Sequence, residues 1–370
     1  MKEKIKYLYI DDSIEEAEQS AKGFNTDELN IETKRCDTSW KEQICSIAKE
    51  TDIDGLILDL RLDDTPNNEG NRSDFRGSAI AQEIRSRQTE GDIKQFPIIL
   101  FSANEKINQS FNILGNNIFD VIIDKSLIND DLYKQYQGQL YSISKAYKQI
   151  QKNKDEKNSI IKLLNVESDL IDERFVYALE NIEKKQCNVL VNFLLKELIV
   201  PQGLLVDENV LAARLGVDRK ASLDWYKVLE FFKEAQYEGI LSEGWGRWWM
   251  VFIENKWAEI SPNNSYLQML SAEERINILK EKLNIDGLFP AKIMDKAHSS
   301  QFWTICQAYE KPIDPIDGFM IAGQTNLSPW LEPLYVSNEG ALNRYNHDKW
   351  VDVESFEKPR LEDLKKQYSR

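Results

Sequence analysis

The stretch GLILDLRLDD, residues 55–64, determines how the N-terminal part of this chain is interpreted. Its first four residues are non-polar, and a short run of this kind is typical of a strand buried on both faces of a sheet. The run ends at Asp59, where the sequence becomes strongly charged. Ligands of open α/β sheets bind at the carboxyl ends of strands. We therefore interpret the Asp59 carboxylate as an N-cap, a metal ligand or a nucleophile.

Strand-like and helix-like segments alternate on both sides of this stretch, through residue 128. Helical composition in residues 13–24, 39–50 and 77–88 separates five strand candidates. Such alternation predicts a doubly wound α/β fold, with a five-stranded parallel sheet between layers of helices. The strand candidates are IKYLYI (5–10), IETKRC (31–36), GLILDL (55–60), FPIILFSA (96–103) and FDVIIDKS (119–126).

Side chains able to carry chemistry stand at the ends of four strand candidates. The first ends with Asp11 and Asp12, the third with Asp59, the fourth with Ser102 and the fifth with Lys125. Because parallel strands end at one edge of the sheet, these residues can converge on one pocket. Three carboxylates attract a hard cation, and Mg²⁺ suits oxygen ligands and retained water. With the cation present, one carboxylate can attack a phosphoryl group that the lysine and serine hold in place.

These residue types, in this order and at these positions, resemble the receiver domain of two-component response regulators. The resemblance covers residues 4–128 and implies a flavodoxin-like sheet. It implies that Asp59 accepts a phosphoryl group from a histidine kinase. Asp12 would contact Mg²⁺ directly and Asp11 through water, and the backbone carbonyl of Arg61 would be a further ligand.

The resemblance also implies roles for the last two strand ends. Ser102 would hydrogen-bond the phosphoryl group and move towards it as the switch. Lys125 would pair with Asp59 before phosphorylation and with the phosphate afterwards. Slow hydrolysis would then return the domain to its starting state.

Three departures from the receiver pattern affect its usual output surface more than its chemistry. Ser126 stands where receivers usually carry proline, and Ile122 stands where they usually carry an aromatic switch residue. The loop of residues 62–76 is longer than usual. This insert is either a partner-contact loop or a tolerated flexible insertion.

A purely structural alternative remains for the acidic cluster. In that alternative Asp12 and Ser13 cap the first helix, and Lys125 is a lone charge at a strand end. A degenerate receiver that no longer accepts phosphate is a further alternative.

The sequence pattern changes after residue 128. We predict a receiver domain over residues 1–128, a long exposed connecting helix over 129–157, and a mainly helical, tryptophan-rich domain over 158–370. Ser271 and Glu274 match a capping box at a helix start. After Pro312 the chain is rich in Pro, Gly and Asn, which predicts loop-dominated structure on the helical core.

Two features of the C-terminal domain allow more than one interpretation. Ala212 and Gly216 have the spacing of a helix-turn-helix motif, but few basic residues follow and a helical hairpin fits better. Four of the nine tryptophans lie in thirteen residues and form either a core or an exposed partner patch, with Arg247 free to stack on a ring. They are Trp245, Trp248, Trp249 and Trp257.

The remaining reactive side chains do not form a second catalytic constellation. Cys306 in QFWTICQAYEK is interpreted as a buried thiol of an apolar helix, and His347 as a surface residue. The four cysteines lack any C-x-x-C pair, which fits thiols in a reducing compartment. No signal-peptide pattern or long apolar run is present, so a cytoplasmic protein without membrane contact is expected.

The sequence thus predicts a response regulator that is phosphorylated on Asp59 with Mg²⁺ and switches a helical protein-interaction module. Its downstream partner would be an unidentified protein, and a homodimer stays open. The net charge of −15 makes DNA an unfavourable partner. The alternatives are a DNA-binding transcriptional regulator, a phosphate sink, and an enzyme with an unrecognised C-terminal active site. The overall layout faintly resembles atypical receiver proteins of bacterial phage-defence or conflict systems.

Overall fold

The computed structural model describes residues 3–103, 118–153, 159–182 and 185–368. The chain divides into two compact units, which are described separately. Unit 1 comprises residues 1–166, 177–195 and 239–245, and unit 2 comprises residues 167–176, 196–238 and 246–370. The predicted boundaries at residues 128 and 157 stay predictions. Within the described ranges, no helix is both long and apolar enough to cross a membrane.

Unit 1 is built on a five-stranded parallel sheet. Its strands are β1 (Ile5–Asp11), β2 (Leu29–Arg35), β3 (Gly55–Leu58), β4 (Ile98–Ser102) and β5 (Val121–Asp124). The strand order is β2-β1-β3-β4-β5, which is the flavodoxin-like order. Every residue of β3 and β4 is buried, as their continuous apolar sequences predict. The predicted doubly wound α/β fold is therefore confirmed.

Unit 1 also contains helices, of which the first four cover the two faces of this sheet. They are α1 (Ile14–Phe24), α2 (Trp40–Lys49), α3 (Gly77–Glu90), α4 (Asp130–Lys152), α5 (Ser159–Leu163) and α7 (Cys187–Leu194); α6 (Glu173–Ile182) is divided between the units. Alternate residues of β1 point to opposite faces. Leu8 and Ile10 join a core with α2 and α3. Tyr7 and Tyr9 join a second core with α1 and α4.

Helix α4 is long, as predicted, but the prediction that it is exposed is wrong. Leu140, Ile143 and Tyr147 are buried, and the Tyr7 hydroxyl donates a hydrogen bond to the Leu140 carbonyl at 2.8 Å. Apolar residues recur here at helical spacing among many polar ones. That stripe is what the helix buries against the sheet.

Unit 2 is largely helical, as predicted, and contains three short antiparallel strand pairs. Its helices are α8 (Glu208–Arg214), α9 (Trp225–Phe231), α10 (Met250–Ile260), α11 (Ala272–Leu283), α12 (Asn338–Asn343) and α13 (Lys358–Tyr368). Its strands are β6 (Leu205–Val206), β7 (Trp248–Trp249), β8 (Thr304–Ile305), β9 (Pro312–Ile313), β10 (Gly318–Met320) and β11 (Tyr335–Ser337). The capping box of Ser271 and Glu274 is confirmed at the start of α11.

The region from residue 301 onward contains short strands and a core of its own. Cys306 is buried, as expected, but it follows strand β8, so the predicted helix is wrong. Strand β8 pairs with β9. Phe319, Val336 and Trp350 belong to a core in this region, which the prediction of loop-dominated structure missed.

The tryptophan cluster is mainly a core feature. Trp248, Trp249 and Trp257 are at most 7% exposed, which confirms the core interpretation for these three. Arg247 donates from Nε to the carbonyl of Ile199 at 2.6 Å, so its guanidinium is held by backbone.

Candidate functional site

The predicted site residues all stand at the carboxyl edge of the sheet in unit 1. Asp11 ends β1 and Asp12 follows it, Asp59 follows β3, Ser102 ends β4, and Lys125 follows β5. Because the strands are parallel, the sheet itself places these five residues along one edge. We name this set the acidic edge.

Lys125 links two carboxylates of the acidic edge. Its ammonium Nζ lies 2.8 Å from Asp11 Oδ2 and 2.9 Å from Asp59 Oδ1. Burial lowers the pKa of Lys125, but the negative charges of Asp59 and Asp11 outweigh it, so the net pKa is raised. The lysine therefore stays charged between the two acids.

Asp11 is held by three donors. The Tyr9 hydroxyl donates to Oδ2, which also accepts from Lys125, and the backbone N–H of Ser13 donates to Oδ1 at 3.0 Å. Burial opposes ionisation of Asp11, but the Lys125 charge and these hydrogen bonds prevail and lower its pKa. Asp11 is thus an anion fixed in position.

Asp12 has a different electrostatic environment. Its Oδ2 accepts a hydrogen bond from the backbone N–H of Thr65. Burial raises the pKa of Asp12, and the charges of Asp11 and Asp59 raise it further. A cation placed beside Asp12 would relieve this repulsion.

The structural alternative for these residues is not what the structure shows. Ser13 is the N-cap residue of α1, yet its side chain makes no capping hydrogen bond. The Asp12 carboxylate accepts from Thr65 in the 62–76 insert. Both predicted caps are therefore wrong, and the carboxylates of Asp11 and Asp12 accept from donors at the edge instead.

Asp59 is buried and tied to its own loop. Its Oδ2 accepts from the backbone N–H of Arg61 at 2.7 Å. The Arg61 side chain pairs with Asp63 and Asp64, each at 2.9 Å. The structure thus gives Arg61 a donor role towards Asp59, and its carbonyl as a metal ligand stays a prediction.

Ser102 is fully buried, and its hydroxyl has no hydrogen-bond partner within the described part of the chain. A buried polar group without a partner costs about 1–3 kcal/mol. An incoming oxygen acceptor at the acidic edge would satisfy it.

The oxygen atoms of the acidic edge show whether it suits a divalent cation. Across the described ranges, no group of three or more acidic, cysteine or histidine side chains is already arranged around a cation position. The donor chemistry nevertheless fits, because three buried carboxylates stand at this edge and Lys125 pairs with two of them, Asp11 and Asp59. A cation would have to compete with Lys125 at Asp11 and with the Thr65 N–H at Asp12.

The insert of residues 62–76 is tied down near the edge. Arg35 donates to the carbonyl of Pro66 at 2.6 Å, and Ser73 donates to the carbonyl of Asp37 at 2.8 Å. Together with the Thr65 N–H at Asp12, these bonds fold the loop back on the end of β2 and the start of the next connection. Its role towards partners stays open.

Sequence reasoning missed two residues of the site. Tyr9 donates to Asp11, and the alternation of Tyr7 and Tyr9 in β1 was the available signal. Gly77 begins α3, and a Cβ at this position would lie 1.9 Å from the Asp59 carbonyl oxygen. Only glycine lets the helix approach the Asp59 backbone so closely.

Comparisons with known proteins bear on the N-terminal part only. No family model matches the chain, and no curated protein does. A receiver domain from Methylobacillus flagellatus has 16% identity and a TM-score of 0.25, covering 35% of this chain and 91% of its own. The receiver domain of a Pseudomonas aeruginosa sensor histidine kinase, described with magnesium in its active-site cleft, has 12% identity and a TM-score of 0.28, covering 37% and 98%. Unit 1 has the receiver fold, as the order of its own five strands shows.

A third match carries a different description. A structure described as an adenylate cyclase from Rhodopirellula baltica has 12% identity and a TM-score of 0.28, covering 40% of this chain and 98% of its own. Likeness at this level concerns the fold and assigns no activity to this chain.

Proposed function

We propose that this chain is a response regulator whose Asp59 accepts a phosphoryl group from a histidine kinase. The observation that carries the proposal is the position of Lys125, whose ammonium joins Asp11 and Asp59 at the edge of a receiver-type sheet. In this proposal the pocket holds a phosphoryl group, because Lys125 places a positive charge at the acidic edge and the Ser102 hydroxyl has no partner among the described residues.

The proposed reaction is a phosphoryl transfer. A carboxylate oxygen of Asp59 attacks phosphorus while the bond to the donor's histidine nitrogen breaks, which gives an aspartyl phosphate. Lys125 and Ser102 would hold the phosphoryl oxygens. Mg²⁺ would be held by Asp11, Asp12, Asp59 and the Arg61 carbonyl. Its charge would offset the negative charge of the phosphoryl group during transfer.

The output is proposed to act through the chain's own switch residues. Phosphorylation adds negative charge beside Lys125 and gives Ser102 a partner, so it favours a loop conformation that differs from the resting one. Ile122 and Ser126 replace the usual aromatic and proline, so the outward signal would use other contacts than in most receivers. The target is proposed to be a protein, reached through the C-terminal module.

The test is phosphorylation of the full chain with acetyl phosphate and Mg²⁺, followed by intact-mass measurement. One phosphoryl group should be added to the wild type and none to Asp59→Asn. Asp63→Asn is the matched control, since its carboxylate pairs with Arg61 rather than with Lys125. Equal labelling of Asp59→Asn, or no labelling of the wild type, would contradict the proposal.

A further inference from the structure

Unit 2 contains a cavity of about 320 Å³ that the response-regulator proposal does not use. It lies beside strand β7 and the start of helix α10, and residues 329–332 form one of its walls. Three tryptophans and three charged residues distinguish its lining. They are Trp249, Trp303, Trp330, Arg214, Glu254 and Glu332.

The 329–332 wall is held in place by backbone and ring contacts. Gly203 forms an isolated bridge with Leu331, and a Cβ at Gly203 would lie 2.2 Å from the Trp330 carbonyl oxygen. The Trp330 indole donates to the carbonyl of Glu197 at 2.9 Å and packs edge-on against Phe175. The cavity is therefore part of the folded unit, as ligand pockets usually are.

The buried cation of the cavity is already paired. Arg214 is 1% exposed, donates from Nη2 to Glu332, and donates from Nε to the Trp303 carbonyl at 3.2 Å. Its guanidinium also lies 4.2 Å from the centre of the Trp303 ring. An anionic ligand would have to displace Glu332 to reach it, so the cavity is poorly suited to anions.

Glu254 is the charged group left over. It is solvent-exposed, and it has neither an ion pair nor a hydrogen bond with another described residue. The surrounding protein nevertheless removes part of the hydration of its carboxyl, which raises its pKa; Glu332 adds to this, and Arg214 opposes it. With two carboxylates and one guanidinium, the three charged lining residues sum to −1.

We propose that this cavity binds a small organic cation, either an alkylguanidinium or an alkylammonium group. Glu254 accepts its N–H groups. Trp249 and Trp330 supply aromatic surface beside the bound group, since the Trp303 ring is already in contact with Arg214. The volume is at the small end of ligand pockets, so the cavity admits one such group and a short stem. The group can belong to a free metabolite or to a basic side chain of a peptide. The proposal does not depend on phosphorylation at Asp59.

The test is calorimetric titration of the full chain with n-butylguanidinium, and with n-butylurea as its neutral analogue. The guanidinium should bind with millimolar affinity and about tenfold more tightly than the urea. A Gly/Ser peptide with one arginine, against the same peptide with citrulline, distinguishes a peptide source from a free one. Equal binding of the two butyl compounds, tighter binding of butyrate, or no binding of any cation up to about 20 mM overturns the proposal.

Two variants assign the binding to the cavity. Glu254→Gln keeps the shape and removes the charge, and it should weaken butylguanidinium binding about tenfold. Glu259→Gln, on the same helix, is the matched control and should leave the affinity unchanged, because its carboxylate pairs with Lys256 outside the lining. Equal affinities of the two variants would overturn the assignment, provided that both unfold at the wild-type temperature. Glu332 is not used here, since its removal would strip Arg214 of its partner.

Discussion

The acidic edge of unit 1 and the cavity of unit 2 both hold buried charge, but they balance it differently. At the edge, Lys125 pairs with Asp11 and Asp59, Asp12 accepts from the Thr65 N–H, and the Ser102 hydroxyl has no partner among the described residues. In the cavity, Arg214 is matched by Glu332, and only Glu254 at the opening is left over. In the proposed phosphoryl transfer, the incoming group would supply the missing partner of the Ser102 hydroxyl. In the cavity, the proposed cation would supply a partner for Glu254.

The largest effect is expected from breaking the pair in the cavity. Glu332→Gln leaves the Arg214 guanidinium, 1% exposed, without a carboxylate partner. Loss of a fully buried partner costs about 3–5 kcal/mol, and Glu332 is partly exposed, so we expect unit 2 to lose about 2 kcal/mol. Urea unfolding followed by tryptophan fluorescence measures this, since seven of the nine tryptophans lie in unit 2.

The control for this variant is Glu310→Gln. Glu310 pairs with Lys349 on the surface of the same unit, where an ion pair is worth about 0–1 kcal/mol. If the two variants lowered the unfolding free energy equally, the buried Arg214 would not need Glu332 as its partner. The cavity and the acidic edge would then not differ in how their buried charges are paired.

The second effect concerns the acidic edge and depends on pH. In the wild type, Lys125 lowers the pKa of Asp11 despite the burial of this carboxyl. The ionised Asp11 therefore stabilises the fold above its unfolded pKa of about 3.9, and this stability is lost as pH falls through the lower folded pKa. The raised pKa of Lys125 gives stability that is present below about 10.4 and is lost as pH rises through the folded value. Between these limits the pair of Asp11 and Lys125 should add no pH dependence, whereas Asp12, whose pKa is raised, should cost stability as pH rises from about 3.9 through its folded value.

Lys125→Met should make the stability of unit 1 depend more strongly on pH. Without the ammonium, burial and mutual repulsion raise the pKa of the carboxylates, so unit 1 should lose about 1 kcal/mol near pH 8 and recover it towards pH 5. Hydrogen exchange of amides in β1 and β3 measures the change locally. The control is Lys6→Met on β1, whose ammonium pairs with the exposed Glu32 and Asp52. A pH profile of Lys125→Met parallel to the wild type would show that the acids do not rely on this lysine.

The acidic edge could be predicted because a parallel sheet translates chain order into position. Each site residue ends an apolar run, and the end of a run marks the same edge in every strand. The hydrogen bond from Thr65 to Asp12 and the approach of Gly77 to Asp59 could not be predicted in this way. They depend on how the insert returns to the sheet, and no period of two or 3.6 residues encodes that path.

No comparable sequence rule predicts which residues line the cavity. Arg214 lies on a short helix, Glu254 on a longer one, and Glu332 in an irregular segment. Their convergence is set by contacts such as the bridge between Gly203 and Leu331, which pairs residues far apart in the chain. Composition indicated that the tryptophans would be buried, but not that some of them would surround a cavity.

The smallest effect tests whether the edge is truly left incomplete. Ser102→Ala removes a buried hydroxyl that has no partner among the described residues, so the unfolding free energy of unit 1 should stay the same or rise by up to about 1 kcal/mol. Ser144→Ala is the matched control. Its hydroxyl bonds to the Tyr7 hydroxyl at 2.7 Å and to the Asp54 carbonyl at 3.0 Å, so its loss should cost about 1–2 kcal/mol. Amide exchange in β1 and β4 compares the two. A clear loss in Ser102→Ala would mean that its hydroxyl already has a partner in the resting protein, and then it could not be waiting for a phosphoryl oxygen.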